Sequence, residues 1–236
     1  KDITIACIDK GIPVLIEKPI AESVQSAQKI INKSKKKKIS VCIGHIERFN
    51  PVVQQLKKLI KQNRFGRIIS ISSKRVGLYP PQVSDVDVII DLAVHDIDVC
   101  NFLLEKEPQS VYARAGKALN SKRFDYSDIF LNYNGVDVLL QVNWITPVKV
   151  RELTLTGIKC YAELSYLNQT LRLYKKGGLV NLVFLVFLVF LVSLVFLVYL
   201  VYFPVRDRKR FNPVRKLNLK DIRVEHNILL FISNGV

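Results

Sequence analysis

Val14-Leu15-Ile16-Glu17-Lys18-Pro19 is a short, wholly apolar run that ends in a charged pair and a proline. A strand apolar on both faces belongs inside a parallel sheet covered by helices. Ligands of open α/β sheets gather outside the carboxyl ends of the strands, so Glu17, Lys18 and Pro19 stand where a site is expected. Upstream, residues 3–8 read locally as a strand and Gly11 breaks the pattern. Downstream, Ala21 to Lys33 places Ala21, Val24, Ala27, Ile30 and Ile31 near helical spacing, and Ile39 to Ile43 is a second apolar strand.

Alternating strand and helix patterns describe the C-terminal half of a Rossmann-type doubly wound domain, set at residues 1–48. Its other half would carry a G-x-G-x-x-G turn and a ribose-binding acid, and no G-x-G-x-x-G occurs in the chain. Residues 49–178 change character. Val52 to Lys61 reads as a helix, Ile68 to Lys74 as a strand, and Arg75 to Asp87, with Gly77, Pro80 and Pro81, as a long loop. The loop delivers the chain to Ile89-Ile90-Asp91-Leu92-Ala93-Val94-His95-Asp96-Ile97-Asp98.

On a helix the i, i+4 spacing puts Asp91 and His95 on one face, where they could act on one substrate hydroxyl. A plainer reading makes Asp91 a helix cap and His95 a satisfied polar residue. From Ser110 the period is two, with strands near 110–117, 127–133, 137–145, 150–157, 160–166 and 170–174. Asn134-Gly135 suits a hairpin turn. The fold class is therefore α/β followed by α+β, with a mostly antiparallel open sheet.

The formal charge of +16 and pI near 9.8 invite a nucleic-acid reading. The charge is scattered lysine without an aromatic-interleaved stripe, and its densest run, Lys33 to Lys38, reads as a solvated helix end, so no nucleic-acid partner is expected. Cys7, Cys42, Cys100 and Cys160 form no C-x-x-C pair, which suits reduced, buried thiols in a cytoplasmic protein. No His/Cys cluster has metal-ligand spacing, and no metal is expected. The chain has no methionine and begins at Lys1, which reads as a fragment.

Residues 179–203 consist almost wholly of Leu, Val and Phe in a three-residue period. Their length meets the requirement of roughly 20 apolar residues for a membrane span. A strict period of three is what a repeated nine-base DNA unit encodes, which favours a repeat expansion over a selected anchor. Residues 204–236 read as a basic linker and a remnant C-terminal helix.

Three stretches together resemble the Gfo/Idh/MocA family of NAD(P)-dependent oxidoreductases: Gly11 to Pro19, Gly44 to Pro51, and Asp91 to Asp98. The resemblance turns residues 3–8 into the end of a helix. It implies NAD or NADP as cofactor near Glu17, Lys18 and Pro19, a sugar or sugar-nucleotide substrate, and a homo-oligomeric parent. It implies Lys18, Asp91 and His95 as catalytic residues: neutral imidazole suits proton removal near physiological pH, the lysine ammonium suits a developing alkoxide, and Asp91 would orient the hydroxyl or the imidazole. The nicotinamide takes the hydride. Arg75 to Pro81, running into Asp85 to Asp91, is similar to the UDP-N-acetylglucosamine 3-dehydrogenase group. Arg48 and Tyr79 are candidate substrate-binding residues, with pairing of Arg48 to Glu47 or Asp98 as the alternative.

Without the glycine turn, negligible NAD binding is expected of the 236 residues by themselves. The alternative is an inactive fragment or pseudogene product, membrane-associated through residues 179–203.

Overall fold

A computed structural model describes residues 1–81, 86–119 and 122–175, and the backbone of 178–180. The expectations for residues 179–203, apart from the backbone of 179 and 180, for 204–236, and for part of the loop before Asp87 lie outside the described residues. The chain divides into two units between His45 and Ile46, where the sequence placed the boundary after residue 48.

The first unit holds helix α1 (Asp2–Asp9), strand β1 (Val14–Ile16), helix α2 (Val24–Lys37) and strand β2 (Val41–Ile43). Residues 3–8 are thus helical, as the family likeness implied and the local pattern did not. β1 and β2 pair in parallel, Leu15 opposite Cys42, which requires the α2 crossover. α2 begins three residues later than its apolar spacing suggests, because the Ser23 side chain accepts a 3.2 Å hydrogen bond from the Ser26 N–H and caps it. It ends at Lys38 in the left-handed region, with Lys35, Lys36 and Lys37 in the last turn, where cations complement the helix dipole. Ile8, Val14 and Ile30 form its buried apolar contacts.

The second unit is a sheet with helices on one face. α3 (Pro51–Lys61) has Asn50 as a side-chain cap and Pro51 at its first position, and buries Val52, Val53, Leu56 and Leu59. Strand β3 (Ile68–Leu78) leads to a π-helical turn (Ile89–Ala93) and helix α4 (Val94–Leu104). Then come β4 (Ser110–Gly116), β5 (Tyr126–Asn132), β6 (Asp137–Asn143), β7 (Ile145–Gly157), β8 (Tyr161–Ser165), β9 (Thr170–Lys175) and β10 (Gly178–Val180). The sheet order is β10-β9-β8-β7-β3-β6-β5-β4. All pairs are antiparallel except β3 with β6.

β3 runs to Leu78, so Arg75, Val76 and Gly77, expected in a loop, are strand. The reason is tertiary: β3 is hydrogen-bonded on both sides, Arg75 opposite Val142 of β6 and Arg151 of β7. Asn134 and Gly135 both have positive φ, at 56° and 87°, and the Tyr133 N–H donates to the Val136 carbonyl, giving the expected two-residue hairpin.

Alternation assigns the two sheet faces different work. Ile71, Val138, Leu140, Leu153 and Leu155 point to the helices and form the core with Val99 and Leu103 of α4. Along the same face, toward the end of β3, the apolar rows give way to Ser73 and Arg75. On the opposite face Tyr112, Phe130 and Leu139, paired in one cross-strand row, remain exposed. The buried-cysteine expectation holds for Cys100 and Cys160, whereas Cys42 is exposed and Cys7 half-buried; all four are free thiols. Among the described residues no helix is long and apolar enough to cross a membrane.

Candidate functional site

In the first unit, Glu17, Lys18 and Pro19 follow β1 directly, with a cis Lys18–Pro19 peptide bond. Gly44 follows β2, and its N–H donates to the Ile16 carbonyl at 2.7 Å. A Cβ on Gly44 would lie 3.2 Å from Glu17 Oε2, so a side chain there would crowd the space beside that carboxylate. Two parallel strand ends carrying a lysine, a carboxylate and a bare backbone fit one end of a dinucleotide. The glycine turn that would hold a pyrophosphate has no counterpart in the sequence.

In the second unit the ambiguity over Asp91 is resolved by Asp87. Its Oδ1 accepts hydrogen bonds from the Ile89 and Ile90 N–H groups, at 3.0 and 3.1 Å. Asp87 therefore satisfies the first orphan donors of this helix, and Asp91 is relieved of capping. Asp91 sits instead inside the π-helical turn, a geometry frequent at functional sites.

Its side chain lines a cavity of about 410 Å³ with Gly77, Leu78, Pro80, Leu92, Trp144, Pro147, Lys149 and Arg151. Tyr79, between two lining residues, meets Trp144 edge-on with ring centroids 4.9 Å apart. His95 stands four residues on, half-buried in the first turn of α4 and outside that lining.

Two arginine clamps fix α4. Arg75, from β3, donates from Nε and Nη2 to the Asp96 carboxylate at 2.8 and 3.0 Å, and from Nη1 to Glu47 at 3.0 Å. The pair is buried, and the guanidinium lies 4.9 Å from the Tyr166 ring centroid. Burial alone would push the Arg75 pKa down, but the Asp96 charge and hydrogen bonds, with Glu47, carry it above its ordinary value. Burial, and then the charge of Asp96, pushes the Tyr166 phenol well up.

Arg48 makes the second clamp, donating from Nε and Nη2 to Asp98 at 2.8 and 2.6 Å. The pairing alternative raised by the sequence is present: Arg48 gives a bidentate edge to Asp98 and ties it to the turn at residues 46–49. The effect is that residues 96 and 98, just after His95 on α4, are each tied to a different element.

A match to the oxidoreductase family model with an NAD-binding Rossmann fold covers residues 1–45, and a match to the GFO/IDH/MocA C-terminal domain covers residues 53–163. The chain belongs to the GFO/IDH/MocA family. Within that family it is 30% identical over 168 residues to UDP-N-acetylglucosamine 3-dehydrogenase of Acidithiobacillus ferrooxidans, covering 71% of this chain and 52% of that protein. It is also 30% identical over 151 residues to inositol 2-dehydrogenase 2 of Saccharopolyspora erythraea, covering 61% and 44%.

A solved structure of the Acidithiobacillus enzyme superposes with a TM-score of 0.68 at 26% identity, over 78% of this chain and 60% of that one. An inositol dehydrogenase homologue from Azotobacter vinelandii, solved with NADH and myo-inositol, shares the fold with a TM-score of 0.69 at 15% identity, over 76% and 52%. The chain spans about half the length of the two curated relatives.

Two cations of this GFO/IDH/MocA chain escaped the sequence reading. Lys149 and Arg151 share the parity of Leu153 and Leu155, both fully buried, and so face the helix-covered side of β7. That parity was the available signal. Arg151 donates from Nη1 to the Val76 and Val150 carbonyls, and burial, with Arg75 nearby, holds its pKa below the ordinary arginine value.

Proposed function

We propose that the protein serves in hydride transfer between a secondary hydroxyl of a sugar or sugar nucleotide and NAD or NADP, with Lys18, Asp91 and His95 as catalytic residues. The observation that carries this is the division of labour between Asp87 and Asp91: the first caps the helix, and the second lines the cavity. In this reading the His95 imidazole accepts the hydroxyl proton, and Asp91 orients the hydroxyl. The Lys18 ammonium stabilises the alkoxide as it forms. Glu17, Lys18 and Pro19 border the cofactor, which when bound supplies the hydride acceptor. Tyr79, backed by Trp144, borders the substrate. The relatives' names, a UDP-N-acetylglucosamine 3-dehydrogenase and an inositol 2-dehydrogenase, support hydroxyl oxidation on such rings.

The exposed Tyr112, Phe130 and Leu139 row supports a homo-oligomer, and four free thiols support a cytoplasmic setting. The reaction is tested in a chain given a G-x-G-x-x-G half-sheet ahead of Lys1, following NADH or NADPH absorbance with UDP-N-acetylglucosamine and with myo-inositol. Lys18→Ala and His95→Ala are each expected to lower kcat by about 10²–10⁴-fold. No turnover with either compound and either cofactor overturns the reading, and unchanged kcat in both variants overturns the residue roles.

A further inference from the structure

The cavity beside Asp91 is rich in donors and poor in acceptors. Lys149 and Arg151 enter it from β7, and among the described residues neither forms an ion pair with a carboxylate. Arg75, the neighbouring cation, is by contrast saturated by Asp96 and Glu47. The third donor is Trp144. Its ring is 2% exposed, it lines the cavity, and its indole N–H is buried with no acceptor among the described residues. A buried donor of that kind costs free energy unless a ligand or water completes it. Among the described residues Asp91 is the single carboxylate in the lining.

We infer that Lys149, Arg151 and the Trp144 N–H form an anion subsite that holds the phosphoryl groups of a nucleoside-diphosphate sugar, while Asp91 faces the sugar. The inference rests on the proposed dehydrogenase reading and narrows its substrate to the phosphorylated class. A guanidinium and an ammonium two residues apart on one strand face present donors to adjacent phosphoryl oxygens, and a neutral polyol needs neither. Leu78 and Pro80 supply apolar surface against which a ring can lie.

The test is calorimetric binding to the full chain without cofactor, using UDP-N-acetylglucosamine, UDP, inorganic pyrophosphate and myo-inositol. The three phosphorylated compounds are expected to bind and myo-inositol not to bind. Lys149 is exposed, so its substitution leaves the core intact. Lys149→Glu is expected to weaken UDP-N-acetylglucosamine at least about tenfold and Lys149→Arg to restore it, as loss and return of a charge-assisted contact predict. UDP-N-acetylglucosamine affinity within twofold of wild type in Lys149→Glu, myo-inositol binding as tightly as UDP, or no binding of any phosphorylated compound overturns the inference. Lys149-dependent binding together with failure of the absorbance assay overturns the dehydrogenase reading and leaves the anion subsite standing. Oxidation of myo-inositol at a rate indifferent to Lys149→Glu does the reverse.

Discussion

Asp96→Ala breaks the buried ion pair that joins α4 to β3. It removes the carboxylate that accepts both Nε and Nη2 of Arg75 and leaves a guanidinium whose side chain is 6% exposed. Breaking one side of a buried pair costs about 3–5 kcal/mol, because the remaining charge is buried without its partner. Glu47 still accepts from Arg75 Nη1 at 3.0 Å, and the Tyr166 ring still covers the guanidinium, which places the loss near the lower end, about 3 kcal/mol.

With a urea slope near 2 kcal/mol per molar, the unfolding midpoint should fall by roughly 1.5 M. The assay has a built-in reporter: Trp144 is the single tryptophan of the chain and is buried in the second unit. The double variant Arg75→Met/Asp96→Leu removes both charges and should recover most of the loss. A midpoint shift below about 0.5 M for Asp96→Ala, or a double variant no more stable than the single one, would refute the uncompensated-charge reasoning.

Two further outcomes are expected. Gly157→Ala should destabilise by about 1–3 kcal/mol, since its Cβ would fall 2.4 Å from the Phe65 carbonyl oxygen, whereas a Cβ on Gly135 meets open space and costs only its left-handed backbone, about 1–2 kcal/mol; paired urea titrations separate the two. Cys100 should resist an aromatic disulfide reagent at pH 8 until the chain unfolds, because burial and the Asp96 charge push its thiol up and shrink the thiolate fraction, while exposed Cys42 reacts in the native state; reaction of Cys100 at the Cys42 rate would contradict this.

Local patterning carried most of the sheet. β5 and β6 were legible because one face of each is buried and a period of two has a single meaning there, and Asn134-Gly135 named its own turn. What the pattern could not supply was partnership. Arg75-Val76-Gly77 looks like the start of a loop until β6 and β7 hold it extended. Asp91 and Asp87 are equivalent as letters, and only the hydrogen bonds from Ile89 and Ile90 show which of them caps the helix. Arg48 had two carboxylate partners open to it in the sequence, Glu47 beside it and Asp98 fifty positions away, and only the fold shows that the distant one pairs with it. Lys149 and Arg151 were missed because charges on a terminal stretch of strand are read as solvent-facing by default, although Leu153 and Leu155 fixed their side of the sheet.

The π-helical turn at Ile89–Ala93 has a consequence for how this chain can change. Such a turn is in effect an α-helix holding one extra residue, so its bonding is undone by a single deletion. Helix α4 is pinned by Arg75 and Arg48 and cannot rotate to absorb the difference. The adjustment would fall on the upstream end, turning Asp91 by about one helical residue, roughly 100°, away from the cavity wall. From Asp87 to Asp98, then, spacing counts as much as residue type: an insertion or a deletion there would move Asp91 as surely as a substitution would remove it.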